Sequence, residues 1–192
     1  MTLANRLTFL RLILAPLFFI IYFLPIQVPG AAVWIVSLLW LIFIVSEVTD
    51  LLDGMAARRL NQTSDFGKLF DPFADTLMQI TCFFCFAIDR IIPAALYLVV
   101  LFREFGILFV RNLMLKKGVI MGARMSGKIK TVTYIIAAAI ALLCFSLQRL
   151  DIAGNLQPAA SIAAISTFSI SVLFSVLSFL DYVSVYRSSG KN

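Results

Sequence analysis

The sequence contains no histidine. That absence removes Ser-His and Cys-His activation of a nucleophile, and with it the commonest transition-metal ligand. Charge is scarce as well. Only 14% of the 192 residues are Asp, Glu, Lys or Arg, against about 25% in a typical soluble domain. With 61% hydrophobic residues, the chain lacks the polar surface to cover a water-exposed globule, and a bilayer is the solvent that resolves this. Cysteine is limited to three residues. Cys82 and Cys85 form a C-x-x-C, but within an apolar stretch beside Phe83, Phe84 and Phe86. Without a βαβ pattern or a second pair, that spacing supports neither redox nor zinc chemistry, and the thiols read as packing groups. No internal repeat and no low-complexity linker divides the chain.

What is present is a series of apolar stretches. They run over Leu7–Leu24, Ala31–Thr49, Leu69–Ile88, Ile92–Leu113, Lys128–Leu147 and Ala159–Val183. A spanning helix needs about 20 apolar residues, so the pattern predicts an all-α integral membrane protein with six transmembrane helices. These consume the chain and predict one membrane domain over residues 1–192. The connections carry Pro or Gly, as in Pro25 to Gly30, Asp89 to Pro93 and Asp151 to Pro158. Leu12–Leu24 has the length of a signal-peptide core, but no convincing small-residue cleavage site follows, and Arg11 and Pro16 interrupt that layout.

Basic residues fix an orientation. Arg6, Arg11, Arg58, Arg59, Lys68, the run from Arg111 to Lys130, Arg187 and Lys191 fall on one side, thirteen in all. Only Arg90 and Arg149 fall on the other, with Arg103 inside a stretch. The positive-inside rule then predicts both termini, and the Asp50–Lys68 segment, on the cytoplasmic side. The net charge of +6 reads as topology signal and attraction to anionic lipid. No basic patch is interleaved with exposed aromatics as a nucleic-acid module requires.

Acidic residues concentrate where membrane proteins avoid them. Five of the ten lie in the 26 positions from Asp50 to Asp75. Asp50 and Asp53 are three apart and Asp71 and Asp75 four apart, so each pair shares a helical face. If the two helices pack antiparallel across a short Gly54–Lys68 connection, four carboxylates converge at the cytoplasmic surface. Such a cluster repels itself unless compensated, and one or two divalent cations compensate it. All-oxygen donors without imidazole or thiolate suit Mg²⁺, Mn²⁺ or Ca²⁺. Two ions clamp the attacking and leaving oxygens of a phosphoryl displacement. Gly54, Ala57 and Gly67 keep the face open and the helices close, and Arg58 offers a donor fork suited to phosphate. Pro72 fits the first turn of a helix. Glu47, on roughly the Asp50 face, reads as a supporting or neutral acid rather than a ligand.

The pattern Asp50-x₂-Asp53-Gly54-x₂-Ala57-Arg58-x₈-Gly67-x₃-Asp71-x₃-Asp75 resembles, without a departure, the signature of the CDP-alcohol phosphatidyltransferase family. Eight specified residues at fixed spacing carry that resemblance. It implies a six-helix membrane fold, usually a homodimer, with a cytoplasmic site dependent on Mg²⁺ or Mn²⁺, two ions in all. It implies that Asp50, Asp53 and Asp71 bind metal, and that Asp75 deprotonates the acceptor hydroxyl and also touches metal. Thr8, Asp50, Asp53, Gly54, Ala57, Arg58 and Gly67 would bind CDP-diacylglycerol, whose tails lie in membrane lipid. A bacterial inner membrane fits the short chain.

The flanking residues resemble the subgroup whose acceptor is glycerol 3-phosphate. These are Asn5-Arg6-Leu7-Thr8-x-x-Arg11, Asp71-Pro72-x-Ala74-Asp75, Arg103-Glu104-Phe105 with Arg111, and Gly127 to Thr131. Thr76, where that subgroup often has Lys, and Glu47, where it has a small or neutral residue, depart from it. Arg103, Arg111, Lys128 and Lys130 are the predicted cations for the acceptor phosphate. The competing reading pairs Arg103 with Glu104 or another helix and leaves the lysines as orientation markers. Other acceptors with the same chemistry are phosphatidylglycerol, inositol phosphate and serine. A cation transporter and a scaffold are the readings from other classes. Acids gathered at one surface without repeat symmetry argue against transport, and a scaffold has no need of them. Trp34 and Trp40 read as interface residues. Ser166, Ser169, Ser171, Ser175 and Ser178 predict a close helix contact in the bundle or dimer.

Overall fold

The computed structural model describes residues 3–24, 30–60, 65–116, 125–152 and 154–188, with side chains for 8–24, 30–50, 72–114, 125–152 and 154–186. The described residues form six α-helices and no strand. The helices are α1 (Leu3–Tyr22), α2 (Ala31–Leu60), α3 (Asp65–Ile88), α4 (Ala94–Lys116), α5 (Met125–Arg149) and α6 (Gln157–Ser188), the last preceded by a 3₁₀ turn at Gly154–Leu156. Each apolar stretch of the sequence coincides with one helix, the ends agreeing to within about five residues except at α2, which runs on from Thr49 to Leu60.

Among the described residues, three segments are long and apolar enough to cross a membrane: Ala31–Asp50, Met125–Arg149 and Gly154–Tyr186. Thr8–Tyr22 and Pro72–Ile88 are shorter apolar helices. In α4 the adjacent charges Arg103 and Glu104 interrupt the apolar run.

Two expectations are corrected. The Gly54–Lys68 connection is largely helical: α2 continues to Leu60 and α3 begins at Asp65, leaving 61–64 between them. Leu, Met, Ala and Arg dominate 51–60 and all favour helix. The one interior glycine, Gly54, costs only about 1 kcal/mol, too little to end α2. Pro72 therefore lies inside α3, not in its first turn. A proline there removes one backbone hydrogen bond and kinks a helix. Pro16 likewise lies inside α1.

The loops close by backbone chemistry. Asp151 adopts a left-handed φ of 52°. Its N–H bonds Gln148 O at 3.3 Å and the Ile152 N–H bonds Leu147 O at 3.4 Å. This is the paired-bond ending in which a left-handed residue satisfies the last carbonyls of a helix. Arg90 (φ 59°) turns the chain after α3 in the same region of conformation.

The chain comprises two compact units, Met1–Phe86 with Phe145–Gln157, and Ala87–Cys144 with Pro158–Asn192. In the first, α1 packs on α2, and the core is aromatic. Tyr22 stacks on Phe145 with centroids 4.2 Å apart, and Phe18 meets Phe86 edge-on at 6.5 Å. Trp40 donates its indole N–H to Ser146 Oγ at 3.0 Å, so it serves this core, while Trp34 is exposed. In the second unit small residues let helices approach: Ala137, Ala138, Ala141, Ala164, Ser171, Ser175 and Ser178 are buried. Of the five α6 serines predicted for a close contact, Ser166 is exposed and Ser169 only half-buried. Cys82, Cys85 and Cys144 are buried as packing groups.

Candidate active site

Continuous helix through Leu60 puts Asp50 and Asp53 on α2 at a three-residue spacing, followed by Ala57 and Arg58, while Gly67, Asp71 and Asp75 lie on α3. Of these, the side chains of Asp50 and Asp75 are described, and the structure brings them together in the first unit. They meet at Arg11 of α1. Arg11 Nη1 donates to Asp50 Oδ1 at 2.6 Å and lies 3.9 Å from Asp75 Oδ1. The guanidinium is sealed, with 1% of its side chain exposed, whereas Asp50 and Asp75 keep 42% and 35%. The cation thus backs the carboxylates from inside while their outer faces stay open. Glu47 lies within electrostatic reach of Asp50, Asp75 and Arg11.

The remaining members of the motif, Asp53, Gly54, Ala57, Arg58, Gly67 and Asp71, have side-chain positions outside the described residues. Among the described residues no three metal-ligating side chains gather. The donor chemistry of Asp50 and Asp75 fits a hard divalent ion. Both are carboxylates, both are part-exposed, and both already lie within 4 Å of one positive nitrogen. Thr8, one turn before Arg11, is buried.

The predicted acceptor cations belong to the second unit and divide in two. Arg103 and Lys130 are held by Glu104. Arg103 Nη1 and Lys130 Nζ lie 2.8 and 3.0 Å from Glu104 Oε1, with all three side chains under one-tenth exposed. Arg103 also donates through Nε to Ser175 O and through Nη2 to Ser178 Oγ. Tyr134 completes the cluster, donating to Ser175 Oγ at 2.6 Å beneath Lys130 Nζ, which sits 4.2 Å from its ring centroid. Arg111 and Lys128 are more open. Arg111 is half-buried with its guanidinium 5.6 Å from the Tyr182 ring centroid, and Lys128 is exposed. Ser126, two residues before Lys128, donates to Asp181 Oδ2 at 2.7 Å, so the start of α5 is tied to α6 beside Tyr182.

The sequence marks Arg11 for orientation and as the end of the Asn5–Arg11 pattern without naming its anion, and Glu104 as a possible partner of Arg103; it gives no sign of Tyr134. The available signal was the same for both charged residues. A charge inside an apolar helix requires an opposite one, but its identity lies far along the chain.

An all-helical chain with apolar helices of membrane-crossing length, and acidic residues meeting from α2 and α3, defines a class of membrane protein. The chain belongs to the CDP-alcohol phosphatidyltransferase family, whose model matches residues 1–177. It is similar to a CDP-diacylglycerol–glycerol-3-phosphate 3-phosphatidyltransferase of Treponema pallidum (strain Nichols), with 39% identity over 162 residues, 80% of this chain and 74% of that protein. The protein of the same name from Bacillus subtilis (strain 168) is 34% identical over 147 residues, 73% of this chain and 76% of its own length. That from Escherichia coli (strain K12) is 30% identical over 189 residues, 95% of this chain and 93% of its own length.

Proposed function

We propose that this chain transfers the phosphatidyl group of CDP-diacylglycerol to sn-glycerol 3-phosphate, giving phosphatidylglycerophosphate and CMP. The observation that carries the reading is the meeting of Asp50 and Asp75, from α2 and α3, at one point with their outer faces exposed. The names of the relatives support the choice of donor and acceptor.

In this reading Asp75 accepts the proton of an acceptor hydroxyl, because an alcohol near neutral pH is a poor nucleophile without a base. The freed oxygen attacks the phosphatidyl phosphorus, the bond from phosphorus to the CMP oxygen breaks, and CMP leaves with the bonding pair. Asp50, Asp53, Asp71 and Asp75 hold Mg²⁺ or Mn²⁺, two ions, which when bound neutralise charge on the phosphates. Thr8, Gly54, Ala57, Arg58 and Gly67 belong to the donor subsite. Arg103, Arg111, Lys128 and Lys130 are the cations assigned to the acceptor phosphate, Arg111 and Lys128 being the more open of the four within their own unit.

The same reading takes residues 1–192 as one catalytic domain with six spans and both termini in the cytoplasm. It works as a homodimer in a bacterial inner membrane, with its site facing the cytoplasm.

The test is CMP release from CDP-diacylglycerol by detergent-purified protein, varying the acceptor, with Mg²⁺, Mn²⁺ or chelator. Asp75→Asn keeps the size of the side chain and removes the base. Release that needs glycerol 3-phosphate and metal, and falls at least about 100-fold in the variant, supports the reading. Release with a different acceptor overturns the substrate. No release from folded protein that binds CDP-diacylglycerol overturns catalysis.

A further inference from the structure

A guanidinium with 1% of its side chain exposed, 2.6 Å from one carboxylate oxygen and 3.9 Å from another, carries a charge that must be neutralised where it stands. Asp50 and Asp75 have the converse need. They lie on neighbouring helices with Glu47 in electrostatic reach, and Arg11 is a cation within 4 Å of both, where like charges otherwise repel. We propose that Arg11 is the resident counter-ion of the acidic site, a positioning residue that holds Asp50 and Asp75 together in the metal-free protein and competes with divalent metal for them. The inference rests on the metal reading given above.

The geometry carries this in two ways. Arg11 reaches the carboxylates from their buried side, so their exposed faces remain open to a ligand. Its positive charge also stands within a few ångströms of any cation those carboxylates bind, and charges at that distance interact strongly even at an effective dielectric near 20. One group therefore does two opposing things. It stabilises the cluster before metal arrives, and it weakens the hold of the cluster on metal. By linkage, the gain in metal affinity on removing Arg11 equals the difference between its contributions to stability without and with metal.

A side chain that only packs the helices behaves differently. Its loss lowers stability by the same amount with and without metal, and metal binds no better. The experiment is a Mn²⁺ titration of detergent-purified full-length chain, followed by electron paramagnetic resonance, beside thermal unfolding in chelator and in saturating Mn²⁺. Wild type is compared with Arg11→Gln, which removes the charge, and Arg11→Lys, which keeps it. We expect Arg11→Gln to bind Mn²⁺ about tenfold more tightly, or about 1.4 kcal/mol. Its stability defect in chelator should shrink when Mn²⁺ is added. Arg11→Lys should stay within about threefold of wild type in Mn²⁺ affinity, a difference under 1 kcal/mol.

Weaker or unchanged Mn²⁺ binding by a folded Arg11→Gln overturns the counter-ion role and leaves the metal reading intact. If Arg11→Gln does not fold in chelator, recovery of its fold by Mn²⁺ supports the role. Failure to recover, or Arg11→Lys binding Mn²⁺ as tightly as a charge-free site should, overturns it. Absence of Mn²⁺ binding by wild type overturns the metal reading and this inference together.

Discussion

Glu104 offers the sharpest test of the energetics in the second unit. Its carboxylate is 2% exposed, and a single oxygen, Oε1, meets Arg103 Nη1 at 2.8 Å and Lys130 Nζ at 3.0 Å. Glu104→Gln keeps the shape and an acceptor but leaves two buried cations side by side. Removing one partner of a buried ion pair costs about 3–5 kcal/mol, because the surviving charge has lost its compensation. Glutamine retains some hydrogen bonding, so the lower end of that range applies. Arg103 also keeps Ser175 O and Ser178 Oγ. A loss of about 3 kcal/mol in a chain of this length lowers the unfolding midpoint by roughly 6–12 °C. The buried thiols of Cys82, Cys85 and Cys144 provide the assay, since a thiol-reactive dye reports their exposure on heating in detergent. The double variant Glu104→Gln/Lys130→Met removes the excess charge and should recover more than half of the loss, a coupling expected only of groups in contact. An unchanged midpoint in the single variant, or a double variant worse than either single, would refute the reasoning.

Two further outcomes follow from packing. A Cβ at Gly106 would stand 3.0 Å from Phe179 Cε2 and 3.1 Å from its Cζ, so Gly106→Val should cost about 1–3 kcal/mol by overpacking. Phe179→Leu should relieve part of that cost in the double variant, as read by the same thermal assay. Trp40→Phe loses the 3.0 Å bond to Ser146 Oγ and should cost about 1 kcal/mol. Trp34→Phe, at a residue 73% exposed, should leave the unfolding midpoint in detergent within about 0.5 kcal/mol of wild type.

The sequence alone determined the composition-level class, the position of each helix and the spacing of the carboxylates. Membrane burial and helical period are local properties, readable from a run of Leu, Ile and Phe or from acids three and four residues apart. The same spacing was enough to identify the motif from Asp50 to Asp75. Where local reading failed, a neighbouring preference outweighed it. Helix-forming residues on both sides of Gly54 carried α2 to Leu60, and α3 began early enough to enclose Pro72. Tertiary structure alone decided which charges compensate one another. Arg11 finds Asp50 39 residues away, and Glu104 takes Lys130 as well as its neighbour Arg103. Nothing in the local pattern of Arg11 or Lys130 names its anion. A buried charge is neutralised by whatever the packed helices bring within a few ångströms, and that choice exists only once the helices have met.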